Sequence, residues 1–140
     1  MISKIFFDAN IILDLIDSDR GNIEDARTLV YKALTKGITL YTSCDILSNV
    51  YYVARRKIKK ASLVEEMLRL IEIFEIIPID GSAAENALLE NQKNSALDFE
   101  DLLQRGCSER AQCEMIVSND KKFVSGTIKV FSTKKALEHL

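Results

Sequence analysis

Three stretches place aspartate where an apolar run ends or a helix begins: Phe6-Phe7-Asp8, Leu97-Asp98-Phe99-Glu100-Asp101 and Ile116-Val117-Ser118-Asn119-Asp120. A charge at the edge of a core costs free energy, so it is normally partnered or bound to a cation. Carboxylates drawn into one crevice raise each other's pKa until a cation compensates them. A hard divalent ion with oxygen ligands, Mg²⁺ or Mn²⁺, meets that need. Hydrolysis of a phosphodiester by a metal-activated water then requires neither a histidine nor a glycine loop. Other chemistries lack their residues. The one histidine, His139, stands beside the last residue, which disfavours a Ser-His-Asp triad, and neither G-x-x-x-x-G-K-[ST] nor G-x-G-x-x-G occurs.

Each acid also has a structural use. Asp98 is a favoured helix N-cap, Asp101 suits the positive end of a helix macrodipole, and Asp120 is a turn residue before Lys121 and Lys122. Asp98 and Asp101 are three apart at a helix start and share a face, while Glu100 is expected to point elsewhere.

The elements that must position these acids are read from apolar patterning. Lys4 to Phe7, Ile38 to Tyr41, Glu75 to Ile79, Met115 to Ser118 and Lys129 to Phe131 are short and apolar enough for strands covered on both faces. Helical period fills the intervals: Asn22 to Lys36 ending at Gly37, a helix capped by Ser43 and running to about Lys57, Ser62 to Phe74, Ser82 to Asn91, and Asp98 to Ala111. Such alternation predicts an α/β chain with right-handed crossovers and helices on both faces of a mostly parallel sheet. Ligands of these sheets bind beyond the carboxyl ends of the strands, where strand order reverses. Asp8 closes the first strand. If the first and fourth strands are neighbours, Asp8, Asp120 and the turn after Asp98 converge on one crevice.

A chain of 140 residues with 47% hydrophobic content fits one domain, residues 1–140, with a sizeable core, and a single proline and 29% charged residues mark no linker. No apolar stretch approaches ~18 residues and no leader pattern is visible, so a cytoplasmic protein without membrane contact is expected. Cys44, Cys107 and Cys113 are odd in number and form no C-x-x-C pair, so all three are expected to be small buried residues rather than disulfide or zinc partners. The net charge of −2 argues against a protein that coats nucleic acid. Arg55, Arg56, Lys57, Lys59 and Lys60 nevertheless form a basic cluster, read either as a surface for phosphates or as a solvated helix end.

These motifs resemble the PIN-domain family over nearly the whole chain; the family comprises small metal-dependent ribonucleases that include the VapC-type toxins of toxin–antitoxin pairs. FFDANIILDLI looks like its opening strand with Asp8 as first acid and Asn10 beside it; DFEDLLQ looks like its third acidic motif with Asp101 as ligand and Asp98 nearby; IVSNDKKF looks like its fourth, with Ser118 and Asp120. The resemblance implies a three-layer α/β/α fold around a mostly parallel sheet of four or five strands. It implies an endoribonuclease using Mg²⁺ or Mn²⁺, held by Asp8, Asp101 and Asp120 as catalytic residues. Asn10, Asn49, Asp98 and Ser118 would support those ligands, and Arg55, Arg56 and Lys57 would meet RNA. RNA as substrate, an antitoxin protein as partner and a homodimer follow from the same likeness.

One position departs from the family. Asn49 stands in Leu47-Ser48-Asn49-Val50-Tyr51-Tyr52, where the family usually carries Glu before the aromatic pair. Asn offers a carbonyl oxygen but no base, and Asp45 lies one turn earlier. A second reading is therefore a catalytically impaired domain that binds RNA or protein. A third, a phospho-accepting receiver domain, expects an acid pair after strand one and a lysine after the last strand; no acid pair is present.

Overall fold

Ile5, Phe6 and Phe7 are each 0% exposed, as a continuous apolar run covered on both faces requires. In the computed structural model, which describes residues 1–140, this run is β1 (Lys4–Phe7). It leads into α1 (Ala9–Ile16), a 3₁₀ turn (Ser18–Arg20), α2 (Ile23–Thr35), β2 (Thr39–Ser43), α3 (Cys44–Ala54) and α4 (Lys60–Ile73). There follow β3 (Phe74–Ile77), α5 (Gly81–Lys93), α6 (Phe99–Arg110), β4 (Met115–Val117), β5 (Val130–Phe131) and α7 (Thr133–His139).

The five strands form one sheet in the order β3-β2-β1-β4-β5, every pairing parallel. Helices cover both faces in three layers. β1 lies at the centre, with Phe6 paired to Tyr41 on one side and to Ile116 on the other. The chain leaves β1 towards β2 and β3, then returns to β4 on the opposite side. The crevice where the order reverses therefore opens between the ends of β1 and β4, the neighbours expected from the sequence. This order differs from the 2-1-3-4-5 order of receiver domains, which removes that reading.

Three features of the sequence pattern gave way to tertiary context. α1 buries Ile11, Ile12, Leu13, Asp14 and Leu15 in succession within eight residues, too short a span to display the repeat by which a helix is recognised in a sequence. β3 stops at Ile77 rather than Ile79 because Pro78 has no N–H to give the ladder. Cys44 is exposed as the first residue of α3, contrary to the expectation for all three cysteines; Cys107 and Cys113 are buried, and all three are free thiols. Burial pushes the Cys107 thiol up to about 11 and that of Cys113 to about 12. No helix is long and apolar enough to cross a membrane.

Candidate active site

Asp8 continues the ladder beyond β1, its N–H donating to the Val117 carbonyl at 3.0 Å. Its carboxylate then caps α1, accepting from the Ala9 N–H at 2.8 Å. The other carboxylate oxygen accepts from Asn10 Nδ2 at 2.7 Å and from Ser118 Oγ at 2.6 Å. Ser118 is placed by β5, through its N–H to the Phe131 carbonyl at 2.9 Å, and its hydroxyl accepts from the Asp120 N–H at 3.1 Å. Asn10 closes the circuit by accepting from the Asn119 N–H at 3.0 Å. Asn10 and Ser118 thus both contact Asp8, fix its rotamer and tie the two strand ends across the crevice.

The third acidic stretch enters from α6. Asp98 is its N-cap, accepting from the backbone N–H groups of Glu100 at 2.8 Å and Asp101 at 3.2 Å. That places Asp101 in the first turn, half-buried at the crevice. Capping and proximity to the other acids are therefore simultaneous properties of Asp98. Asp120 likewise serves a turn, accepting from the Lys122 N–H at 2.9 Å, while remaining exposed beside the crevice.

Electrostatics show that these acids sense one another. Burial raises the pKa of Asp8 and the charge of Asp120 adds to it, against the lowering by the Ser118, Ala9 and Asn10 hydrogen bonds. Asp101 is pushed up to about 7, first by burial and then by the charges of Asp98, Asp8, Asp120 and Glu100. A folded pKa above the unfolded value favours the protonated form, so the metal-free fold loses stability as pH rises from about 4 towards 7. Asp101→Asn is therefore expected to raise the metal-free melting temperature more at about pH 8 than at about pH 5. An equal change at both pH values would show that Asp101 carries no unrelieved charge.

Asp98, Glu100, Asp101, Arg105, Asp120 and Lys122 line a cleft of about 470 Å³; Asp8 is buried and does not line it, though its charge reaches Asp101. Glu100 was expected to point away; it borders this cleft and a second groove of about 630 Å³. The reason is that Asp98 caps the helix rather than belonging to it, so helical spacing counted from Asp98 misplaces Glu100. The second groove holds Asn49, half-buried, with Asp45 and Tyr52. Asn49 thus adjoins the acidic cleft without joining it. Asp45 accepts a hydrogen bond from the Ser43 hydroxyl, so Ser43 occupies the cap position of α3 without capping through its side chain. Arg55 stacks 4.0 Å above the Tyr52 ring, Arg56 is exposed, and Lys57 lies 3.6 Å from Asp17; none of the three lines either groove.

The donors suit a hard divalent cation: they are all oxygens, and at Asp8 and Asp101 burial first and neighbouring acids second disfavour the charged form that a cation would stabilise. No three acidic side chains are gathered closely enough to hold one ion between them. That spacing is compatible with Mg²⁺, which keeps several waters and uses one or two carboxylates together with phosphate oxygens.

Residues 4–122 match the PIN domain family. The chain is 36% identical over 137 residues to Ribonuclease VapC1 of Aquifex aeolicus, a match covering 96% of this chain and 94% of that protein. The fold is similar to that of Mycobacterium tuberculosis VapC20, a Sarcin-Ricin loop cleaving toxin, with a TM-score of 0.70 and 15% identity over 85% of this chain and 92% of the other. It is also similar to a chain of Rickettsia felis VapBC2 bound to promoter DNA, with a TM-score of 0.69 and 16% identity over 92% of this chain and 98% of the other.

Proposed function

The chain belongs to the PIN-domain family, in its VapC-like group, and on that premise we propose that it is an Mg²⁺- or Mn²⁺-dependent endoribonuclease, the toxin of a cytoplasmic toxin–antitoxin pair. The observation that carries this reading is the crevice between β1 and β4, where Asp8 is locked by Ser118 and Asn10 and Asp101 is pushed up to about 7 by its acidic neighbours. Asp8, Asp101 and Asp120 would hold the cation, through its retained waters where their carboxylates stand too far apart to meet on one ion. When bound, it supplies a nucleophilic water at neutral pH and offsets charge developing on the phosphate. Asn10 and Ser118 would keep Asp8 in one rotamer by their bonds to a single carboxylate oxygen. Asp98 sets the first turn of α6 and thereby the approach of Asp101. The position of Asn49 outside the acidic cleft supports the active reading over the impaired one, because loss of its charge leaves the contacts of Asp8 intact.

The reading is tested on the products of a single-stranded RNA pool incubated with the protein and Mn²⁺. Attack by water leaves ends without a 2′,3′-cyclic phosphate, whereas cyclic ends would assign the attack to the ribose 2′-hydroxyl.

Arg55, Arg56 and Lys57 would add affinity by contact with phosphates outside the cleft. Arg56→Ala combined with Lys57→Ala is expected to lower the salt slope of RNA binding by about 1.4, two phosphates on a single strand, with the cleavage rate of bound RNA unchanged. An unaltered slope would leave the cluster as a solvated helix end. The exposed apolar face over α2 and α4, with Tyr31, Leu34, Leu68 and Ile71, would serve the antitoxin or a second copy.

A further inference from the structure

Arg105 has no part in holding a cation, yet it lines the same cleft as Asp98, Asp101 and Asp120, one helical turn after Asp101. Its side chain is only 15% exposed, and its one ion pair is a long one, 3.6 Å to Glu90 of α5. Its buried Nε has no hydrogen-bond partner. The segment between β4 and β5 packs against it through Gly126, where a Cβ would stand 2.4 Å from a guanidinium nitrogen. A side chain at 126 would therefore displace the arginine. Arg105 also lines a groove of about 280 Å³ between α5 and α6, so it forms the partition between that groove and the acidic cleft.

A mostly buried guanidinium with an unused donor is a cost that the fold does not recover within itself. None of the cleft carboxylates captures it at ion-pair distance; Glu90 and Gly126 hold it to the α5 side. The planar fork of arginine matches a phosphate in bidentate geometry, and the cleft is otherwise dominated by acids that repel one. The other cation lining the cleft, Lys122, is exposed and provides a solvated point charge.

We propose that Arg105 is the residue that binds the RNA phosphate entering this cleft, its guanidinium held between Glu90 and Gly126 until phosphate oxygens occupy its free donors. The inference rests on the ribonuclease reading of the same cleft. It assigns the substrate's negative charge to a protein cation as well as to the divalent ion, and it gives the absence of a side chain at Gly126 a reason.

The test is the binding of a fluorescent single-stranded RNA to the full chain in Ca²⁺ across a salt series, with single-turnover cleavage in Mn²⁺ measured in parallel. Arg105→Ala should weaken binding about tenfold and lower the salt slope by about 0.7, the value of one phosphate contact on a single strand. Arg105→Lys should keep the slope but slow cleavage about tenfold, because a point charge lacks the bidentate fork. Glu90→Gln, which keeps the cation, should bind RNA as tightly as wild type or more so. A wild-type slope in Arg105→Ala would overturn the proposal, as would Arg105→Ala and Glu90→Gln lowering the melting temperature together with RNA affinity unchanged. Should Arg105→Ala not fold, Gly126→Ala displaces the guanidinium without removing it: lost affinity supports the proposal and unchanged affinity overturns it. Intact RNA in Mn²⁺ with a reduced slope would defeat the ribonuclease reading and leave the phosphate contact standing. Cleavage with an unchanged slope would defeat the role of Arg105 alone.

Discussion

Asp8→Asn is expected to slow single-turnover cleavage of RNA by roughly 10³-fold, the scale on which removal of a principal catalytic group acts. The same substitution should leave the fold intact. Asn caps a helix about as well as Asp, so the bond from Ala9 survives, and the Ser118 hydroxyl can reverse its direction to accept from the new amide, while the bond from Asn10 to the same atom is lost. The metal-free melting temperature should rise near pH 7, because burial disfavours the ionised form of Asp8 and the variant has no charge to bury. Loss of cleavage together with a gain in stability would identify a residue kept for chemistry rather than for packing. Cleavage within a few-fold of wild type would remove Asp8 from the reaction, and a large loss of stability would recast it as a structural cap.

Arg20→Ala should destabilise the protein by about 3 kcal/mol, with a fall in melting temperature on the order of 10 °C. Asp14 lies in α1 with its side chain 2% exposed, and its partner is Arg20 Nε at 2.7 Å from the 3₁₀ turn. Removing the arginine leaves a buried carboxylate without a counter-charge, which costs more than the pair itself contributes. The arginine is one-third exposed, which places the loss at the lower end of the range for buried pairs. Adding Asp14→Asn should recover part of the stability, since the double variant buries no net charge. The pair matters to the site because it anchors α1, the helix whose first cap is Asp8. A change under about 0.5 kcal/mol in the single variant would mean that water already screens Asp14.

Asp14 also marks where reading the sequence stops. Arg20 follows it by six residues, a spacing no single helix brings face to face, so the pair exists only because the chain turns back at Asp17 and Gly21. Asp8 was legible for the opposite reason: Ile5, Phe6 and Phe7 admit only a buried strand, and a carboxylate directly after such a strand must be capped, paired or bound. The alternation of strands and helices left the neighbouring of β1 and β4 as a condition, which the sheet order meets, and Ser118 was marked only by the family motif. α1 and α7, with eight and seven residues, are too short to display a helical period in the sequence. Arg105 gave no signal at all. In sequence it is one of several charges on an amphipathic helix, and only the approach of Glu90 and Gly126 sets it apart. Asn49 could be placed on α3 by its aromatic neighbours, but its separation from the acidic cleft depends on how α3 and α6 pack across the sheet.

On the proposed reading, a divalent ion at Asp8, Asp101 and Asp120 would enable this chain to cut RNA. The most direct test of that reading is single-turnover cleavage of single-stranded RNA by wild-type protein stripped with a chelator, then supplied with millimolar Mn²⁺, with Asp8→Asn carried alongside. The stripped protein should not cleave, Mn²⁺ should restore cleavage fully to wild type, and Asp8→Asn should not recover. Cleavage that persists in excess chelator, or that Asp8→Asn recovers equally with Mn²⁺, would contradict that reading.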